Sequence, residues 1–170
     1  MSQGSAKGVV VDMRNAHAVQ FLLSRSNVPL VSALLAAIAA QVLKAFIAAV
    51  TRNEPPRVAL LKAGGMPSSH SALAWALFMS VLWHNGWQSP ETGVAAILAV
   101  VVIYDAAIIR RAMQEQTKTL RILLERAAPD LLEEFWVPKS LGHTGREVVA
   151  GMAMGVAVAR AAYWFGNVAL

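Results

Sequence analysis

A chain of 170 residues is the size of one domain or one compact bundle. Hydrophobic residues make up 56% of it and charged residues 15%, against roughly 25% charged in an ordinary soluble domain, and the mean hydropathy is +0.50. These values argue against disorder, a coiled coil or a nucleic-acid arm and make a bilayer the expected solvent. The 15 Lys+Arg against 10 Asp+Glu give a net charge of +5, but the cations fall between apolar runs rather than in the stripe that nucleic acid requires. With no cysteine, a disulfide framework, a thiol nucleophile and a thiolate metal site are all excluded.

Residues 1–27 form a polar or interfacial N-terminal segment, and 28–170 the membrane-embedded domain. Residues 28–50 are apolar apart from Pro29, Ser32, Gln41 and Lys44, long enough at about 1.5 Å per residue to cross a roughly 30 Å hydrocarbon layer. A second run spans 71–87 and a third 92–109, the latter containing Asp105; between them Gly86 and Pro90 mark a tight helical hairpin without Lys or Arg. After Arg110 and Arg111 a polar amphipathic helix is expected to run to about Ala127, ending at Pro129-Asp130. A last apolar run, 148–170, contains Arg160 and the interfacial aromatics Tyr163, Trp164 and Phe165. The predicted fold is all-α: an integral membrane bundle of about four spanning helices plus one polar amphipathic helix. The basic stretches 52–70 and 110–143 predict a cytoplasmic-membrane protein with both facing the cytoplasm. Lys7, Arg14 and Arg25 then fall on the far side, unless the N-terminal segment is an extra interfacial or re-entrant element.

On this topology the polar residues gather at one membrane face. Ionisable groups in or beside spans are costly and mark a site or an internal pair. In Gly64-Gly65-Met66-Pro67-Ser68-Ser69-His70-Ser71 the glycines allow close backbone approach, and Ser68 or Ser69 can cap a helix whose N-terminus cradles phosphate; a glycine hinge with an ordinary cap is the plain alternative. His143 and Glu147, four apart, share a helix face. A carboxylate under an imidazole fixes its tautomer and strengthens it as nucleophile or base, although an ordinary surface pair has the same spacing. Gly142 and Thr144 beside them suit an anion site. Asp105 either supports the site or neutralises Arg110, and at most one of Arg110 and Arg111 faces it. Gly151 and Gly155 suit close helix packing or a homo-oligomer seam. The histidines at 17, 70, 84 and 143 lack paired-ligand spacing, so neither a metal nor another cofactor is expected.

Three motifs carry a family resemblance: Gly-Gly-Met-Pro-Ser-Ser-His-Ser-Ala at 64–72, Tyr-Asp-Ala-Ala-x-x-Arg-Arg at 104–111, and Leu-Gly-His-Thr-x-x-Glu-Val-x-Ala-Gly at 141–151. Together, in order, they resemble the divergent branch of the type 2 phosphatidic acid phosphatase superfamily, also labelled acid phosphatase/vanadium-dependent haloperoxidase-related. Pro67-Ser68-Ser69-His70 is similar to the superfamily's Pro-Ser-Gly-His turn, and His143 to Glu147 to its His-x-x-x-Asp, with Glu for Asp. The resemblance implies that His143 is a nucleophile forming a phosphohistidine, Glu147 its orienting carboxylate and His70 the general acid. Ser68, Ser69, Thr144 and the cations Lys44, Arg52, Lys62, Arg110, Arg111 and Lys139 would hold phosphate, with Asp105 in support. Two departures stand out. Lys44 and Arg52 are eight apart and followed by Asn53, and Trp136-Val137 replaces the Ser-Arg pair upstream of the nucleophile, a role left to Lys139, Arg110 or Arg111.

The expected activity is metal-independent hydrolysis of a lipid phosphate or pyrophosphate. The alternative is a non-catalytic headgroup-binding or transport module of the same ancestry. Expected partners are an anionic lipid phosphate, membrane lipids and a second copy of the chain through Gly151 and Gly155, with no nucleic acid. A purely structural membrane scaffold would rest on those two glycines alone.

Overall fold

The computed structural model describes residues 27–52, 64–130 and 143–168; the N-terminal segment and the two intervening stretches lie outside the described residues. Helix α1 (Val28–Arg52) is followed by α2 (Ser69–Asn85) and α3 (Pro90–Tyr104). A π-helical turn (Asp105–Ile109) joins α3 to α4 (Arg110–Ala127), and α5 (Gly145–Val168) ends the described chain. Among the described residues no strand occurs, and the all-α membrane bundle is the observed architecture.

Side-chain size explains how these helices pack. The core is built from alanine: Ala36 and Ala40 of α1, Ala72 and Ala76 of α2 and Ala159 of α5 are fully buried against one another. Between apolar helices in lipid no hydrophobic force drives association, so small residues that let backbones approach are what hold the seams. The large apolar side chains point the other way. Leu34, Ile38, Val42, Phe46 and Val50 of α1, and Val94, Ile97, Val100 and Val101 of α3, are exposed on the bundle surface. In water such a surface would be a severe liability; in a bilayer it is the solvated face. One polar clasp crosses the core, Ser32 Oγ to Ser80 Oγ at 2.6 Å.

Three helices among the described residues are long and apolar enough to cross a membrane: Val28–Thr51, Pro90–Ala127 and Gly145–Phe165. The run expected at 71–87 is α2, which has 17 residues, about 25 Å of helix. It lies at the centre, packed on α1, α3 and α5. Its small residues Ser71, Ala72, Ala74, Ala76 and Ser80 are buried on more than one side of the helix, so it meets neighbours where the outer helices meet lipid.

The 85–91 hairpin forms as expected. Gly86 adopts φ 80°, a left-handed conformation suited to glycine, and Ser89 caps α3 with Pro90 in its first turn. The polar helix expected after Arg110 and Arg111 is continuous with the run before it: α3, the π-helical turn and α4 form one helix of 38 residues, about 57 Å long. Since the hydrocarbon layer is roughly 30 Å thick, α4 emerges as a polar stalk, and none of its residues is buried. Gly151 and Gly155 are spent inside the chain. A Cβ on Gly151 would strike the Ser68 carbonyl, and one on Gly155 would lie 2.6 Å from the Ala72 carbonyl. These glycines let α5 cross α2 closely.

Candidate functional site

The starts of α2 and α5 and the ends of α1 and α3 meet at one end of the bundle. Each start is shaped by its own sequence. Ser68 caps α2 in extended conformation, its Oγ accepting from Ser71 N–H at 3.3 Å and from the Ser71 hydroxyl at 3.0 Å. At α5, Thr144 and Glu147 form a capping box: Thr144 N–H donates to Glu147 Oε2 at 3.1 Å, and Glu147 N–H to Thr144 Oγ1 at 3.4 Å. The two starts are stitched together by Ser68 N–H donating to the Glu147 carbonyl at 3.0 Å.

That arrangement fixes His143. Its side chain is almost fully buried, and Nδ1 lies 3.0 Å from Glu147 Oε2. An ionised carboxylate only accepts, so against ionised Glu147 the donor is Nδ1, and in the neutral ring Nε2 then keeps its lone pair. Nε2 is buried and has no hydrogen-bond partner among the described residues. A buried polar atom without a partner is uncommon and costs stability, so it asks for a functional reason. The His70 ring stands 6.5 Å from that of His143, tilted by 59°, close enough for both imidazoles to address one phosphoryl group. His70 is exposed where His143 is enclosed.

Cations surround the pair. Lys44 is buried, its stem 3.2 Å from where a Cβ on Gly65 would lie. Gly65, at φ 109°, is left-handed, so glycine there serves both the turn and the lysine. Glu147 acts electrostatically on Lys44, and His70 feels Arg110, His143, Asp105 and Lys44. Arg110 Nε is bonded to Asp105 Oδ2 at 2.7 Å, while Arg111 is exposed on the next side of the helix.

The structure thus brings together His143, Glu147, His70, Lys44, Asp105 and Arg110. Ser68 and Thr144 serve as caps, their hydroxyls turned toward helix backbone. Capping consumes the N–H groups of Ser68 and Ser71, leaving those of Ser69 and His70 as the first-turn donors of α2. Lys62 and Lys139 lie outside the described residues, as does the side chain of Arg52. Two features escaped the sequence reading. The Thr-x-x-Glu capping box at 144–147 was legible in the spacing alone, whereas the Ala106 carbonyl, which accepts the His143 N–H at 3.4 Å, has no sequence signature. Among the described residues no three His, Asp or Glu side chains gather as metal ligands.

Comparison with known proteins adds ancestry. The profile of a family described as "Divergent PAP2 family" matches residues 25–158. An uncharacterised membrane protein, YuiD, of Bacillus subtilis (strain 168) is 38% identical over 99 residues, which cover 58% of this chain and 63% of that protein. No solved structure matches.

Proposed function

The chain belongs to the divergent PAP2 family, and we propose that it is a membrane phosphatase hydrolysing a lipid phosphate or pyrophosphate through a phosphohistidine at His143, with no metal ion required. One observation carries this reading: the buried Nε2 of His143 has no partner among the described residues while Nδ1 is held by Glu147, the arrangement of an imidazole prepared to attack.

The chemistry follows from the geometry. Nε2 attacks phosphorus and the ester P–O bond breaks; His70 gives its proton to the leaving oxygen. Glu147 stabilises the imidazolium character that develops on His143. Water then attacks the phosphohistidine, His70 takes its proton, and the N–P bond breaks to release phosphate. Phosphoryl transfer is mostly positioning and charge stabilisation. Lys44, Arg110 and the N–H groups of Ser69 and His70 supply donors for the equatorial oxygens. Since the site lies at the ends of spanning helices, it meets phosphate at headgroup depth. The basic stalk α4 leaves from the same end, which favours the cytoplasmic side.

The test is phosphate release by the purified full chain from phosphatidate, phosphatidylglycerophosphate and polyprenyl pyrophosphate in mixed micelles with EDTA. Release that persists in EDTA, is inhibited by vanadate and is lost in His143→Ala is expected. No release from any of these, or equal release by His143→Ala, overturns the reading; lipid binding without release would instead favour a headgroup-binding module.

A further inference from the structure

The long helix Pro90–Ala127 changes its winding at Asp105–Ile109, where the Arg110 N–H reaches back five residues to the Asp105 carbonyl. On an α-helix side chains five apart point in different directions, because face-sharing neighbours are three or four apart. A π-helical turn is wider and swings residue i+5 back toward the face of residue i; such turns recur at functional sites. This winding is what brings Arg110 Nε to 2.7 Å from Asp105 Oδ2. The two side chains are 36% and 39% exposed, so the pair adds little stability and its consequence is placement. Both partners act electrostatically on His70.

The same winding has a second effect. A ladder returning from i+5 to i+4 bonds passes over one carbonyl oxygen. The carbonyl next after that of Asp105 is Ala106's, and it receives the His143 N–H at 3.4 Å. The Tyr-Asp-Ala-Ala-x-x-Arg-Arg motif and the histidine motif therefore meet through backbone on this one turn.

We propose that the π-helical turn is the positioning element of the phosphate site: the Ala106 carbonyl sets the backbone of His143, and Asp105 holds Arg110 by Nε so that its two terminal amino groups face phosphate. The identity of the ligand rests on the phosphatase reading; the placement of His143 does not. Arg110 then does the work left open by Trp136-Val137, where the superfamily carries Ser-Arg. Neither Asp105 nor Ala106 touches phosphorus, so both act through other residues.

Two variants of the full chain in detergent separate the roles. Deleting Ile108 restores an α-helical ladder and leaves Asp105 and the arginine four apart, so their pair survives while the passed-over carbonyl is lost. Backbone amide exchange at His143 should quicken about tenfold, the net worth of one hydrogen bond, and kcat on phosphatidate should fall at unchanged KM. Asp105→Asn keeps the winding and an oxygen that can accept from Nε but removes the charge that holds the arginine: KM, and the inorganic phosphate concentration giving half inhibition, should rise about tenfold with kcat nearly unchanged, as expected for a weakened charge-assisted contact. A protein merely loosened would lose active molecules without this split. Unchanged exchange at His143 in the deletion, or wild-type KM in Asp105→Asn, overturns the proposal. If the deletion does not fold, Asp105→Asn decides. If the wild type releases no phosphate, the phosphatase reading falls and amide exchange in the deletion still decides the role of the turn.

Discussion

Replacing Gly151 by alanine puts a methyl group where α5 crosses the turn that carries Ser68 and His70. The added Cβ would collide with the Ser68 carbonyl and lie 3.0 Å from Ser71 Cβ. Neither neighbour is the free end of a flexible side chain, so the helices must separate. Overfilling a packed seam costs about 1–3 kcal/mol, and straining the Ser68 N–H bond to the Glu147 carbonyl costs about 1 kcal/mol more. Alanine also gains about 1 kcal/mol over glycine in a helix interior, which a control removes: Gly93 lies in α3, and a Cβ there meets nothing within 4 Å. The gap in stability between Gly151→Ala and Gly93→Ala is therefore about 2–4 kcal/mol. At about 2–4 °C per kcal/mol for a chain of this size, the unfolding midpoint in detergent, followed by tryptophan fluorescence, should be clearly lower for Gly151→Ala. Phosphate release should fall with it. Equal midpoints for the two variants would refute the close crossing of α2 and α5 on which the site depends.

Three further outcomes are expected. Glu147→Gln keeps an amide oxygen facing the Thr144 N–H and Nδ1 of His143 but removes the negative charge under the ring; kcat should fall about ten- to a hundredfold with lipid binding retained, the worth of a charge-assisted contact, read in steady-state kinetics. His70→Ala should lose most activity on phosphatidate but much less on p-nitrophenyl phosphate, whose leaving group needs no proton; equal losses would argue against His70 as the acid. Ser32→Ala leaves Ser80 without its cross-helix partner and should cost about 1 kcal/mol in detergent unfolding, with kinetics unchanged.

The sequence made the apolar runs legible because a bilayer imposes length and hydropathy on each of them. The hairpin at Gly86–Pro90 and the helix end beyond Ala127 were legible because glycine, proline and capping residues act locally. The pairing of His143 with Glu147 followed from i,i+4 spacing. The rest depends on packing. That Lys44, inside a spanning helix, lays its stem on Gly65 reflects a contact between distant segments. The choice of Arg110 over Arg111 depends on a π-helical winding that changes which residues share a face, and composition at 105–109 does not announce it. Alanine as the core residue is equally hidden, since hydropathy alone would have placed leucine and valine inside. Gly151 and Gly155 were readable as close packing, while their partner, α2 of the same chain, was not.

The most direct measurement is rapid acid-free quenching of the full chain during turnover of phosphatidate labelled in its phosphate, followed by peptide mass spectrometry under alkaline conditions that preserve phosphohistidine. A phosphoryl group is expected on the peptide containing His143, formed within the first turnover and missing in His143→Ala. Steady phosphate release with His143 unmodified at every time point, or with the label on another residue, would contradict it.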